Sequence, residues 1–276
     1  MFASGMKKVA YEMKTDVVIV TCLRDAMASQ CLPALVRHGE VDVKAVVLAA
    51  EGSPRNLRYY WRRFKKIVSI GPLGAWNGRK MRPWYHVEEP DIEDLCRQLQ
   101  VPFHTAPLLN GKEMENLLTS LQPTLGVSLG NGYIAPRIFS IPRLGMINVH
   151  SEILPAYQNA QSIIWPIFKE DPYSGFTIHE IERKIDGGRI LFQRKYDLEF
   201  CPTLEATVRH NKARIDADIP ESVAYVCAHI EELRNHAQVQ GHGGHYTTPT
   251  FWQYLRMVKN NKRFYNEQQK RKGLEV

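Results

Sequence analysis

Short apolar runs alternate with amphipathic stretches along the first half of the chain. Asp16-Val17-Val18-Ile19-Val20-Thr21 is a continuous β-branched run, the pattern of a parallel strand buried on both faces. Residues 26–38 (AMASQCLPALVRH) carry a helical repeat that stops near Gly39. Val43 to Leu48 is a second apolar strand. Strand, helix and strand within this length predict a right-handed crossover and a doubly wound, mostly parallel α/β sheet of the Rossmann-like kind. No GxGxxG follows the first strand, so a dinucleotide cofactor of the usual kind is not predicted.

The alternation continues downstream. Residues 92–99 (IEDLCRQL) and 113–121 (EMENLLTSL) predict helices, with strands starting at Val101 and spanning Thr124–Leu129. Pro136 to Ser140 predicts a helical turn. Met146-Ile147-Asn148-Val149-His150 alternates apolar and polar positions, which puts Asn148 and His150 on one face of a strand. Ser162 to Phe168 predicts a helix despite Pro166, and strands follow at Thr177–Ile181 and Ile190–Arg194. Residues 203–233 read as helical, interrupted at Pro220, and Phe251–Val258 adds another apolar-aromatic helical face. The last residues, from Tyr265, are polar and predict a frayed end. The domain expectation is a catalytic α/β unit over 1–200 and a mainly helical region over 201–276. There is no internal repeat.

Two stretches stay open. Residues 55–66 (RNLRYYWRRFKK) on a helix align Leu57, Trp61, Phe64 and Val68 as an apolar stripe, and stack Arg58, Arg62 and Lys66 on another face. That is either a solvated basic face over a core-facing stripe, or a site for the phosphates of a substrate or an anionic surface. Residues 71–90 (GPLGAWNGRKMRPWYHVEEP) predict a long ordered loop, either part of an acceptor pocket or lid, or a packing element for Trp76 and Trp84.

Composition narrows the classes. The 276 residues, 44% hydrophobic, can build a full core. No run of 18 apolar residues predicts a membrane span, and the N-terminal residues lack a signal-peptide pattern, so the expected location is cytoplasmic. The five cysteines have no CxxC spacing and predict free thiols. A formal charge of +7 suits an anionic partner without choosing among nucleotide, polyanionic cofactor, RNA and membrane surface. His242-Gly243-Gly244-His245, with His229 and His236, lacks a completing thiolate or carboxylate, so no metal is expected.

The chemistry concentrates between Gly145 and Leu191. Asn148 and His150 share a strand end; Leu154-Pro155 follows, then Gly175-Phe176-Thr177-Ile178-His179, then the turn sequence Asp186-Gly187-Gly188-Arg189-Ile190. In this order and spacing the four elements resemble the 10-formyltetrahydrofolate-dependent formyltransferases. The family often has a glycine shortly after the Leu-Pro, where this chain reads Tyr157-Gln158-Asn159-Ala160.

The resemblance implies formyl transfer, with Asn148 donating to the oxyanion, His150 stabilising that charge or relaying a proton, and Asp186 orienting His150. It implies 10-formyltetrahydrofolate as co-substrate, its pterin held near Gly130, Gly132, Tyr133, Ile134, Asp186 and Gly187. Thr177 and His179 are read as structural. For the acceptor, Tyr157, Asn159, Trp84, Arg58 and Arg62 are the expected contacts. The chain length and the absence of a β-rich C-terminal domain favour a nucleotide-linked amino sugar, in surface-polysaccharide synthesis, over glycinamide ribonucleotide or initiator methionyl-tRNA. A homodimer is implied, with no nucleic acid partner and with membrane proximity left open. The contrasting reading is a non-catalytic basic adaptor for RNA or membrane on the same fold.

Overall fold

The computed structural model describes residues 14–50 and 57–274. Five parallel strands form one side of a mixed sheet: β1 (Thr15–Thr21), β2 (Val41–Ala49), β3 (Phe103–Ala106), β4 (Leu125–Ser128) and β5 (Met146–His150). A two-residue strand, β6 (Tyr157–Gln158), stands apart and pairs with β9 (Gly244–His245). The antiparallel β7 (Tyr173–Glu180) and β8 (Ile190–Asp197) complete the main sheet, in the order β3-β2-β1-β4-β5-β7-β8. The strand order reverses between β1 and β4, and ligands of open α/β sheets gather outside the carboxyl ends of strands at such a point.

The β-branched run of β1 fills both faces of the sheet. Val17 and Ile19 pack on one side with α1 (Met27–Arg37), whose Ala28, Cys31, Leu32 and Leu35 recur at helical spacing. Val18 and Val20 pack on the other side with Met114 and Leu118 of α4 (Lys112–Leu121) and Ile138 of α5 (Pro136–Phe139). The other helices of the first part are α2 (Leu57–Met81), α3 (Ile92–Leu99) and α6 (Ile164–Lys169). Asp91 caps α3 by accepting from the Glu93 amide at 2.8 Å.

Beyond β8 come α7 (Leu204–Ala217), α8 (Ile219–Ala228), α9 (Ile230–Asn235) and α10 (Phe251–Leu274). Pro220 sits in the first turn of α8, where a missing N–H is tolerated, so the predicted interruption is a helix start. Val223, Ala224 and Cys227 of α8 join the cluster containing Val17 and Ile19. Two buried amides anchor α10: Asn260 donates to the Ile167 carbonyl at 2.9 Å and Asn261 to that of Cys201 at 3.1 Å. The α/β class and the helical C-terminal region are as expected from sequence. All five cysteines are free. Among the described residues, no helix is long and apolar enough to cross a membrane.

Three local expectations are corrected. Most of 71–90 is not a loop: α2 runs on to Met81 and a 3₁₀ turn covers Arg82–Tyr85, leaving only residues 86–90 irregular. The chain bends at Gly71 (φ 74°) and Pro72 opens the next helical segment, so the Gly-Pro pair marks a kink rather than an exit. The stripe of Leu57, Trp61, Phe64 and Val68 does not meet the core. Leu57 is 90% exposed and the others are more than half exposed, because this end of α2 finds no sheet to pack on. The residues after Tyr265 continue α10 to Leu274.

Candidate active site

Asn148 and His150 sit at the carboxyl end of β5, two residues apart and on one face, as their spacing requires. The sheet register supplies their neighbours. Ser128 of β4 stands opposite Asn148, and on the other side β7 places His179 opposite Asn148 and Thr177 opposite His150. Cross-strand partners share a face, so the second histidine is delivered to the same spot as the first. The turn after β7 then returns Asp186 over the strand end, with its backbone left-handed (φ 52°).

Hydrogen bonds fix how each group points. The Asn131 amide donates to the Ser128 hydroxyl oxygen at 3.0 Å, and that hydroxyl donates to Asn148 Oδ1 at 3.2 Å. The opposite end of the amide, Asn148 Nδ2, lies 3.3 Å from His179 Nε2. His179 Nδ1 is 2.8 Å from the Glu180 carbonyl, which can only accept, so the proton sits on Nδ1 and Nε2 accepts from Asn148. Burial lowers the His179 pKa and favours this neutral ring; its hydrogen bond to Glu180 and the Asp186 charge oppose that shift without reversing it. The 3.7 Å separation of His179 Nε2 from Asp186 Oδ1 is therefore not an ion pair while the ring is neutral. Asn148 Nδ2 has one further N–H, and the side chain lines an open cavity of about 540 Å³.

His150 is oriented the other way round. Its Nε2 lies 2.7 Å from the Tyr157 carbonyl and must donate to it, which leaves Nδ1 facing Asp186 Oδ2 at 3.7 Å. The same Oδ2 accepts from the Asn159 amide N–H at 2.8 Å. Gly188 makes the turn possible: a Cβ there would lie 1.8 Å from the Glu180 carbonyl oxygen. Arg189 beside it grips Glu180 through two bonds of 2.6 and 2.9 Å, and Arg234 adds a third at 2.8 Å. The constellation offers one amide donor, one imidazole nitrogen free to exchange a proton, and one carboxylate, all facing one cavity.

Glu152 holds the loop that follows. Fully buried, it accepts from the amide N–H groups of Ile163 (2.5 Å) and Ile153 (3.2 Å) and from the Ser174 hydroxyl (2.8 Å). Burial pushes its carboxyl up to about 8 despite those donors. Thr177 is structural, as expected: its hydroxyl donates to the Glu152 carbonyl at 2.7 Å and accepts from the Leu154 amide at 3.1 Å.

The remaining expected residues divide. Gly130, Gly132, Tyr133 and Ile134 line the cavity with Asn148, His150 and Asp186. Gly130 has φ 75°, a conformation that side chains disfavour. Gly187 is not on the cavity wall; the space a Cβ would take is filled by Glu182 and Lys184. Asn159 lines the cavity. Tyr157 does not reach an acceptor, being 2% exposed with its hydroxyl donating to Asp171. Trp84, 4% exposed, belongs to the core. The side chains of Arg58 and Arg62 lie outside the described residues. Sequence reasoning read His179 as structural and missed Ser128 and Asn131. The available signal was period two on β7, which puts Thr177 and His179 on one face; their alignment with β5 needs the pairing register. Among the described residues, no group of three or more His, Cys, Asp and Glu is placed to hold a metal.

The family match found by comparison with known proteins falls on the segment that carries these residues. Residues 94–215 match the formyl transferase family model. A methionyl-tRNA formyltransferase from Pseudomonas savastanoi pv. phaseolicola is 32% identical over 120 residues, covering 43% of this chain and 36% of that protein. One from Thermotoga maritima is 28% identical over 129 residues, covering 46% and 39%. The chain thus spans little more than a third of the length of these relatives. Among solved structures, a phosphoribosylglycinamide formyltransferase from Bacillus halodurans has a TM-score of 0.52 at 14% identity, covering 78% of this chain and 95% of that one. A sugar N-formyltransferase from a Shewanella species has a TM-score of 0.51 at 12% identity, covering 89% and 87%. At such identities the likeness is one of fold.

Proposed function

We propose that this chain, which over residues 94–215 belongs to the formyl transferase family, moves the formyl group of 10-formyltetrahydrofolate to a primary amine. The observation that carries the reading is the convergence of Asn148, His150 and Asp186 on one cavity. The free N–H of Asn148 donates to the formyl oxygen as negative charge develops there. One such donor is worth roughly 3 kcal/mol in other acyl-transfer sites. His150 takes the proton of the attacking amine on Nδ1, the nitrogen not committed to Tyr157, Asp186 offsets the resulting positive charge, and the proton passes to the departing folate nitrogen as its bond to the formyl carbon breaks. Holding both partners in the cavity supplies the orientation that solution lacks.

The cavity fits the pterin of the donor. Two glycines on its wall let backbone groups approach a flat ring, and Met27, Val149 and Ile185 provide apolar contact. The folate supplies an activated formyl group; the protein's side chains supply alignment, charge stabilisation and proton movement.

The acceptor we infer is the amino group of a nucleotide-linked amino sugar, as in surface-polysaccharide synthesis. Support comes from the near-full-length likeness in fold to a sugar N-formyltransferase. We place the reaction in the cytoplasm, and the exposed apolar residues Trp61, Phe64 and Trp252 support a homodimer. Methionyl-tRNA is the second reading, favoured by the printed activity of the sequence relatives. The test is incubation with 10-formyltetrahydrofolate and, separately, UDP-, GDP- and dTDP-linked amino sugars, glycinamide ribonucleotide and methionyl-tRNA, following folate deformylation. Turnover with an amino-sugar nucleotide is expected. Deformylation with none of these amines would sink the enzyme reading, and turnover with methionyl-tRNA alone would replace the acceptor.

A further inference from the structure

A second cavity, of about 720 Å³, adjoins the first, and Asn159 lines both. Its wall carries Arg63, Arg79 and Arg82 from α2 and the turn after it, with Gln161, Thr247 and Thr248, and has no carboxylate among the described residues. Arg79 and Arg82 lie three residues apart, a spacing that puts neighbouring side chains on one face. Neither guanidinium is in an ion pair with an acid among the described residues, whereas Arg189, Arg194, Arg234 and Arg263 each are. Two like charges held together without a counter-ion repel, and an anion between them removes that cost.

The wall is built, not incidental. α2 is pressed onto the 248–250 segment: a Cβ at Gly78 would lie 2.5 Å from Thr248 Cγ2, and one at Gly74 would lie 3.1 Å from the Pro249 carbonyl oxygen. Thr247 and Thr248 share the cavity wall with the arginines. The same segment is tied to the catalytic centre. Asn159 donates through its side chain to the Tyr246 carbonyl at 3.0 Å and through its backbone N–H to Asp186 Oδ2 at 2.8 Å. Asn159 thus touches the acid that serves His150 and also lines the arginine-bearing cavity.

We propose that Arg79 and Arg82 form an anion subsite for the acceptor, taking the diphosphate of a small nucleotide-linked substrate while its amine reaches His150. This rests on the formyl-transfer reading for the identity of the amine, but not for the presence of the subsite. Guanidinium forks match phosphate oxygens in pairs, and the Thr247 and Thr248 hydroxyls add neutral donors. Specificity follows: an amine that lacks the phosphates leaves both arginines uncompensated and is a poor substrate.

The test separates the two readings by measuring binding without folate or turnover. UDP, GDP, dTDP and inorganic pyrophosphate are titrated into the full chain by calorimetry. At least one nucleoside diphosphate is expected to bind, with pyrophosphate competing. Combined Arg79→Ala and Arg82→Ala should weaken it about tenfold or more, and combined Arg79→Lys and Arg82→Lys should recover part of the loss. Circular dichroism on both double variants checks that they are folded. If no diphosphate binds, if the alanine variant binds as tightly as the parent, or if a generic RNA competes as well as the diphosphates, the subsite is overturned. Arginine-dependent diphosphate binding without any formyl transfer would overturn the proposed enzyme and leave the subsite standing.

Discussion

His150 donates through Nε2 to the Tyr157 carbonyl at 2.7 Å, so the nitrogen that faces Asp186 Oδ2 across 3.7 Å is Nδ1. The carbonyl cannot give up its role, because β6 is held by its pairing with β9. One nitrogen of the ring orients and the other exchanges the proton. Asp186→Asn separates charge from position: the amide oxygen still accepts from the Asn159 N–H, but no anion balances a charged His150. Turnover is expected to fall about a hundredfold or more, with folate affinity retained and the melting temperature little changed. Single-turnover rates alongside folate titration check this; wild-type turnover would remove Asp186 from the chemistry.

His179 acts on the reaction through Asn148. With Nδ1 committed to Glu180, its Nε2 is the acceptor that aims the Asn148 amide. His179→Ala is expected to lower kcat by about tenfold with little change in acceptor KM, and His179→Gln, which restores an acceptor, to recover part of it. Acid should act in the same direction. The folded state holds this histidine below its ordinary value of 6.5, so it favours the neutral ring. Stability from that preference is complete above 6.5 and is lost as pH falls toward the folded value. Thermal melts of wild type and His179→Gln from neutral to acidic pH should therefore converge as the pH is lowered.

Glu152 gives a pH dependence of the opposite sign. Burial raises its carboxyl to about 8 from 4.5, so the folded protein binds a proton that the unfolded chain releases. The associated stability is present below about 4.5 and is lost as pH rises through about 8, a change on the order of a few kcal/mol. Denaturant titrations across that range should show wild type losing stability with rising pH, and Glu152→Gln losing clearly less. Parallel curves would mean that the carboxylate is ionised throughout, held by its three donors.

Gly188 sets the height of the Asp186 turn. A methyl group there would lie 1.8 Å from the Glu180 oxygen, a backbone atom that cannot step aside. Gly188→Ala should cost about 1–3 kcal/mol and reduce kcat as well, because Asp186 moves with the turn. Gly273→Ala, with nothing within 4 Å of the new methyl, should change neither. Denaturation midpoints and turnover measured on the two variants decide it.

The sheet was legible because each of its strands carries its own local signature. The β-branched run at Val17–Val20 and the alternation from Met146 to His150 need no distant partner to be read. Asn148, His150 and Asp186 were legible as a set through their order and spacing. Trp84 and Tyr157 show the reverse. Tyr157 was expected to contact the acceptor and Trp84 either to do so or to pack, yet both fill the core. The stripe on α2 failed in the other sense, since its helical period is correct but the body offers no surface at that end.

By itself the sequence determined periodicity, turn chemistry and the spacing of the polar residues, because each depends on bond geometry within a few residues. Tertiary structure decided everything that depends on register and return: that His179 stands opposite Asn148, that Tyr157 turns its carbonyl rather than its ring toward His150, and that Asn159 both bonds the Asp186 carboxylate and lines a cavity shared with arginines of α2. These pairs lie from 7 to about 100 residues apart. Only the closing of the sheet, and the packing of the 246–250 segment on α2, brings them within the few ångströms over which hydrogen bonds and charges act.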